Sequence, residues 1–425
     1  MYARLQARGH EVRVHIGEES SRDVHGGMLQ LCEDWREELD WIRAAGQDGI
    51  LLFESADRGE IQDELRGDGF QVIGGSALGD RLEADREFGQ DIFRTAGLQT
   101  ANSHAFQNYD HAIDFLQRSS GRHVVKFNGA NSPRTRNYVG EMNDAQDVIA
   151  LLSMYREHGV NRPPPDFVLM QHVQGIEVGI GAYFNGRQFM DAICIDFEHK
   201  RLFPGELGEL TGEMGTVVSY RGGGRLFRKI LAPLTGLLRD GGYVGYINVN
   251  LIVNEDGLWP LEFTSRFGYP GYAICERLHG DPWEHVFSSM LQGKTTSFKT
   301  RQGYSVGVVL TVPPFPYTYG YSELSKGEPI CFRSGFGAQD AEALFLAEVA
   351  SVRDILVTSG CSGYVGVATG IGDSISTAAQ RAYSLAAKVV VPNLRYRNDI
   401  GQRVSNGDWK SLQELGWIDE SGDVF

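Results

Sequence analysis

Residues 260–271, PLEFTSRFGYPG, and the run ahead of them, residues 246–253, YINVNLIV, decide how this sequence is read. Both runs alternate. Ile247, Val249, Leu251 and Val253 point one way and Asn248 and Asn250 the other; Leu261 and Phe263 then oppose Glu262 and Thr264. Two alternating runs joined by a glycine-ended turn predict a β-hairpin. A three-residue loop, Glu255-Asp256-Gly257, would put Gly257 at the left-handed position such loops need. That register sets Asn250 opposite Glu262 and Asn248 opposite Thr264. One face is then apolar. The other carries a carboxylate, two amides and a hydroxyl, with Arg266 just beyond. Such a set suits a hard cation held beside phosphate; a plain polar hairpin face is the other reading.

Working outward, 425 residues are too many for one ordinary core and predict about two to four domains. Hydrophobic residues at 42% and charged residues at 22% give a soluble globular profile. The formal net charge of −15 argues against nucleic-acid backbones or anionic membranes as the main partner. Nucleotides are not excluded, because local arginines and magnesium can hold them. Cys32, Cys194, Cys275, Cys331 and Cys361 are odd in number and show no metal-ligand spacing, which predicts reduced thiols in the cytoplasm. No apolar run approaches the ~20 residues of a membrane span, and no signal-peptide pattern opens the chain.

The N-terminal stretch predicts a helix over 2–9 and strands over 11–16, 49–55 and 70–75, the alternation of a parallel α/β sheet. Such a domain normally opens with a strand and a glycine-bearing turn. Here the helix comes first, so residues 1–75 are expected to form a parallel sheet with an unfilled strand position near its middle or edge. Either the first strand lies upstream of Met1 or the domain is built without it. An amphipathic helix follows at 81–97, then a strand at 123–129 containing Lys126. The next loop carries Arg134 and Arg136, a basic flap that could cover phosphates or be a solvated loop. Residues 161–165, NRPPP, form a stiff connector. A strand at 167–173 and a hairpin over 179–198 with Asn185-Gly186 at its turn come next. Residues 199–220 read as a long irregular loop, and loops of that length are usually functional or mobile. From Ser305, short strands and a helix at 374–390 predict a separate small α+β domain.

Taken in this order, the pieces resemble an ATP-grasp ligase, and more narrowly the glycinamide ribonucleotide synthetase (phosphoribosylamine–glycine ligase) family, from about residue 48 to 404. LEFTSRFGYP (261–270) resembles that family's Glu-Phe-Asn-x-Arg-Phe-Gly-Asp-Pro segment, and HKRL (199–202) with GELTGEMG (208–215) its long loop. GIGDSISTAAQRAYSLAAKV (370–389) and YRNDIG (396–401) resemble its small final domain. The resemblance implies a multidomain α/β and α+β chain. Residues 1–78 would be a Rossmann-like pre-ATP-grasp domain, apparently lacking its first strand. Residues 79–165 would be a linker helix and the ATP-grasp small subdomain, and 166–300 the large subdomain with the nucleotide and metal site. Residues 301–404 would be a small α+β domain and 405–425 a polar tail.

The resemblance also implies chemistry. A substrate carboxylate attacks the γ-phosphorus of ATP to give an acyl phosphate, and an amine then displaces phosphate to form an amide. Lys126 would touch the adenine side and α-phosphate, Gln171 and Val173 the adenine edge, and Glu177 the ribose. Arg134 and Arg136 would stand in for the family's Gly-Lys-Gly flap, which is absent. Glu262, Thr264 and Asn250 would hold magnesium (or manganese). Arg266, Lys200 and Arg201 would face the transferring phosphate, beside His199. Thr264 departs from a metal-binding asparagine, Asn250 from an acidic ligand, and Tyr269 from an aspartate. The expected substrates are small molecules, a carboxylate such as glycine and an amine such as phosphoribosylamine, used by a monomer or homodimer in purine biosynthesis. The alternatives are a diverged ligase joining another carboxylate and amine, or a catalytically weakened nucleotide-binding protein. A dinucleotide-dependent dehydrogenase fails for want of a Gly-x-Gly-x-x-Gly turn.

Overall fold

The computed structural model describes residues 1–127, 137–158, 166–293 and 297–419. Arg134, Arg136 and the 161–165 connector lie outside the described residues.

Eight strands form the central sheet. Their order is Gly257–Thr264, Val244–Asn254, Ile176–Asn185, Phe189–Glu198, Gly215–Ser219, Tyr304–Thr311, Tyr364–Gly372 and Leu344–Leu346, all antiparallel. The strands from residues 304–372, read from sequence as a separate domain, hydrogen-bond directly onto Gly215–Ser219, so the sheet is continuous. A turn-rich texture marks where strands end, not which sheet they join.

The hairpin places Asn248 opposite Thr264 and Asn250 opposite Glu262, but by a different route from the expected one. The turn has two residues, Glu255 and Asp256, closed by Asn254 against Gly257. Asn254 Oδ1 accepts from the Asp256 and Gly257 N–H groups at 3.0 and 3.2 Å. The extra residue sits instead as a bulge at Leu261, where the register shifts between Asn250 and Leu251. Pro260, which has no N–H to give, is tolerated because this is an edge strand. The Leu261 carbonyl accepts from Gln90 Nε2 at 3.0 Å. A bulge turns a strand and re-aims the side chains beyond it, here Glu262 and Thr264.

The expected 81–97 helix is two helices, Ser76–Ala84 and Arg86–Thr95, because Asp85 caps the second by accepting from the Phe88 N–H at 3.0 Å. The second helix lies against the hairpin. Phe93 stacks on Phe263 with ring centroids 4.3 Å apart, and both rings are buried in the main core. The expected 199–220 loop contains a small ladder, Arg201–Phe203 with Leu207–Leu210, before the chain rejoins the sheet.

A second, four-stranded antiparallel sheet has the order Ser103–Phe106, Phe167–Gln171, His123–Phe127 and Tyr138–Val139. Its core packs Val125, Phe127, Phe167 and Leu169 beneath helices Tyr109–Leu116 and Gln146–Glu157. At the N-terminus, helix Tyr2–Ala7 comes first, as expected. The expected single sheet is instead two parallel pairs, Arg13–His15 with Gln30–Cys32 and Ile50–Leu52 with Gln71–Ile73. Among the described residues no strand joins them. Tyr2 and Leu5 of the helix pack with Ile50, Leu52 and Ile73. No helix among the described residues is long and apolar enough to cross a membrane.

Phe263→Ala should destabilise the chain by about 3–5 kcal/mol, the usual cost of emptying a fully packed phenylalanine site. Urea denaturation checks it, and a loss below about 1 kcal/mol would contradict this packing.

Candidate active site

The polar side of the central sheet is built on two missing side chains. Gly179 pairs with Asn250 on one side and Asp196 on the other, and Gly181 pairs with Asn248 and Cys194. A Cβ on Gly179 would overlap the Asp196 carboxylate, and one on Gly181 would overlap the Tyr246 hydroxyl. The bare strand lets amides on one side reach carboxylates on the other. Asn248 Nδ2 donates to Asp196 Oδ2 at 2.6 Å, and Asn250 Nδ2 donates to Glu198 Oε2 at 2.9 Å. This is the part of the site that reading the sequence missed. The visible signal was GIG at 179–181, which puts glycine at two successive positions on the face that also carries Glu177.

Lys200 stands over this floor. Its Nζ lies 2.6 Å from Glu177, 3.3 Å from Glu198 and 3.6 Å from Glu262. Burial alone would lower the ammonium's pKa; the three carboxylates outweigh it and hold the group well above its ordinary range. Burial likewise opposes ionisation of Glu177, but the Lys200 charge wins and pulls that carboxyl below its usual value. Deeper in, burial and then the Glu198 charge push Asp196 up to about 8. Glu213, buried beside them and bonded to the Thr216 hydroxyl, is raised by burial and by the same two acids. The site thus separates ionised from protonated carboxyls by depth.

The structure brings Glu177, Glu262, Asn250 and Lys200 together, and the Lys126 ammonium lies within their field. Burial lowers the Lys126 pKa and the Glu262 charge opposes that. Thr264 lies two residues past Glu262 on the same strand, opposite Asn248. Gln171 ends its strand in the smaller sheet, with its N–H donating to the Asn102 carbonyl at 2.8 Å. Val173 follows it, half-buried. Arg201 turns to its own loop and donates to the Gly208 carbonyl at 2.7 Å. Arg266 is held by Glu83 at 2.9 Å, and Glu83 also accepts from the Ser265 N–H. His199 is a core histidine rather than a surface cation. Its Nε2 accepts from the Gly401 N–H at 3.2 Å, and burial, helped by Arg403 and Arg397, lowers it to about 3.

The C-terminal segment supports the site from behind. Arg397 is only 1% exposed and donates to the Arg201 carbonyl, Glu206 and Asp399. Arg403 donates to the Glu198 carbonyl at 2.8 Å.

Residues 84–272 match the family model described as phosphoribosylglycinamide synthetase, ATP-grasp (A) domain. The chain is 25% identical to the phosphoribosylamine–glycine ligase of Neisseria meningitidis serogroup B over 399 residues, which cover 90% of this chain and 88% of that protein. It is 26% identical to that of Caldanaerobacter subterraneus over 354 residues, 80% and 81% of the two chains. Among solved structures it superposes on phosphoribosylamine–glycine ligase from Thermotoga maritima with a TM-score of 0.71 at 20% identity, covering 94% of this chain and 96% of that one. The chain has the ATP-grasp fold and resembles phosphoribosylamine–glycine ligase. The ATP-grasp fold is shared more widely. The biotin carboxylase domain of the Hydrogenobacter thermophilus 2-oxoglutarate carboxylase, solved with MgADP, ADP and bicarbonate, matches at a TM-score of 0.65 and 13% identity, covering 99% and 96%. The matched ATP-grasp segment contains Lys126, Glu177, Lys200 and Glu262, so the charged cluster lies inside it.

Two pH effects follow. Lys200 holds Glu177 below its unfolded pKa, so that pair stabilises the fold above the ordinary carboxylate range and loses this as pH falls through the folded pKa. Lys200→Met should therefore cost about 3 kcal/mol at pH 7 and clearly less at pH 3, by urea denaturation. Asp196 is shifted the other way. Its contribution is complete below its unfolded pKa and is lost as pH rises toward about 8. The wild type should lose stability as pH rises from about 4 to about 8, and Asp196→Asn should lose visibly less over the same interval.

Proposed function

We propose that this chain is an ATP-dependent carboxylate–amine ligase of the phosphoribosylamine–glycine ligase type. The observation that carries the reading is the cluster of Glu177, Glu198, Glu262, Asn250 and Lys200 inside the ATP-grasp segment. A substrate carboxylate attacks the γ-phosphorus of ATP, and the bond to the bridging oxygen breaks as ADP leaves. An amine then attacks the acyl phosphate, and inorganic phosphate departs with the electron pair of the carbon–oxygen bond. Neither step needs a protein nucleophile; both need charge held in place. Lys200, fixed by three carboxylates, is a cation whose position is set before nucleotide arrives. Lys126 supplies a second from the smaller sheet. Arg266 closes the far end, oriented by Glu83. Glu177 would hold the ribose, with the backbone of Gln171 and Val173 at the adenine edge. Arg134, Arg136 and Arg201 remain candidates for the phosphates.

The donor set fits a hard divalent cation. Glu262, Glu198, Asn250 and Thr264 offer only oxygen, with amide nitrogen turned to a carboxylate, which suits magnesium or manganese and no softer metal. Among the described residues no three acidic, histidine or cysteine side chains form a ready metal cage; the Lys200 ammonium stands among the carboxylates. Magnesium would be held by Glu262 and Glu198 as the anionic ligands and would supply positive charge to neutralise the phosphates. Glycine and phosphoribosylamine, the substrates named for the relatives, are the first pair to try, in a soluble chain.

Phosphate release from ATP, scanned against amino acids with hydroxylamine as acceptor, tests the reading because hydroxylamine traps any acyl phosphate as a hydroxamate. ATP binding with no hydroxamate would favour a nucleotide-binding protein instead. Glu262→Gln should weaken ATP binding in magnesium about tenfold or more by isothermal titration, with little change in EDTA. Thr264→Asn supplies a better hard-cation ligand than an alcohol. It should lower the magnesium midpoint for phosphate release and raise kcat by up to about tenfold.

A further inference from the structure

The strand Phe189–Glu198 ends two residues before Lys200, and the small ladder starts at Arg201. Lys200 therefore stands in a break between two strands. The backbone of His199 pairs with Met214 and Gly215, and the Lys200 carbonyl accepts from the Thr211 N–H at 2.9 Å and from its hydroxyl at 2.8 Å. The groups on either side are held by one short segment almost two hundred residues later. The Glu198 carbonyl accepts from Arg403 at 2.8 Å, and His199 Nε2 accepts from the Gly401 N–H at 3.2 Å. The Arg201 carbonyl accepts from Arg397 Nη1 at 2.9 Å, and the Gly205 N–H donates to Asp399 Oδ2 at 2.9 Å.

Arg397 is the centre of this clasp. Its Nε and Nη2 both donate to the Asp399 carboxylate at 2.8 Å, and Nη2 also reaches Glu206 at 2.8 Å. A planar guanidinium can serve carboxylates along one edge and a carbonyl on another; a lysine ammonium cannot hold that arrangement. Burying such a charge is costly, and an apolar side chain of similar volume often serves packing as well. Nor does the segment need Arg397 as its anchor. Arg395 exchanges backbone hydrogen bonds with Thr311 at 2.8 and 2.9 Å. Ile400 lies in the main core, and its N–H donates to the Tyr383 hydroxyl at 2.8 Å. What the arginine adds is a grip on the carbonyl directly after Lys200.

We infer that Arg397 is a positioning residue for Lys200. By fixing the Arg201 carbonyl, while Arg403 fixes that of Glu198, it sets where the ammonium stands among Glu177, Glu198 and Glu262 before nucleotide arrives. Its effect on turnover rests on the ligase reading above, and the placement of Lys200 on these hydrogen bonds alone. Phosphoryl transfer is sensitive to position, and a shift of about 1 Å in a charged group can cost roughly a hundredfold. Nucleotide affinity is spread over more groups, Lys126 among them, and is less sensitive.

The test combines Arg397→Met with Asp399→Asn, which removes both charges together and leaves neither stranded. Asparagine can still accept from the Gly205 N–H. Acylation by acetic anhydride, followed by peptide mass spectrometry, reads how firmly Lys200 is held, with the exposed Lys410 as internal reference. In the double variant Lys200 should label about fivefold or more faster relative to Lys410. The kcat for phosphate release from ATP should fall about tenfold or more while KM for ATP stays within about threefold. Arg397→Lys keeps the charge and serves if the double variant does not fold; it too should unshield Lys200. Tyr383→Phe removes the Ile400 contact and leaves the clasp, so it should lower the melting temperature and change neither labelling nor kcat. A folded Arg397 variant with Lys200 shielded as in the wild type overturns the inference. So does Tyr383→Phe unshielding Lys200 as strongly as the double variant, because the effect is then one of general stability. Faster labelling with kcat unchanged removes the role in turnover. Wild-type protein that releases no phosphate removes the ligase reading, and the labelling still decides whether Arg397 places Lys200.

Discussion

The charge on Lys200 is the constraint on which the site depends. Three carboxylates meet at one ammonium, between 2.6 and 3.6 Å away. Without it, Glu177, Glu198 and Glu262 would repel one another across a partly buried floor. With it, the Glu177 carboxyl is held below its usual range. Asp196 and Glu213, one layer deeper, are pushed toward their neutral forms by burial and by Glu198's charge. The same field therefore favours ionisation at Glu177 and opposes it at the inner acids.

That cluster can exist only because the sheet beneath it is continuous and locally bare. Gly179 and Gly181 leave the space through which Asn248 and Asn250 reach Asp196 and Glu198. Beyond them the sheet runs on into residues 304–372, and the chain returns to brace the site with Arg397 and Arg403. The C-terminal strands and the charged cluster share one sheet. A strain at Gly215–Ser219 would be felt on both sides, since close-packed interiors transmit displacement.

Much of this was legible in the residues. The hairpin register was, because side-chain alternation allows only one pairing that keeps Val249 and Phe263 in the core. It survived even though the extra residue moved from the turn to the bulge at Leu261: a three-residue loop and a two-residue loop with one bulge give the same pairing at Asn250 and Glu262. Lys200 and Glu177 were read as site residues through resemblance. Their contact was not readable, because they lie on segments joined only by the folded sheet. Glu198 was passed over because alternation says which face a residue takes and not which amide will reach it. The continuity of the sheet was hidden for the same reason, since antiparallel neighbours leave no mark on each other's sequences. Arg266 was read as facing phosphate; its pairing with Glu83, on a helix almost two hundred residues earlier, was not readable.

The two ends of the hairpin's edge strand sit in different fields. At Glu262 the charge pattern still suits nucleotide and metal: anions in excess, an ammonium fixed among them, oxygen donors on both strands. Past Thr264 the pattern changes sign of purpose. Arg266 and Arg4 are neutralised by Glu83 and Glu276, and tyrosine stands at 269 where the resemblance expects an acid. Glu262, Thr264 and Arg266 share one stretch of chain, and the change of environment falls between the second and the third.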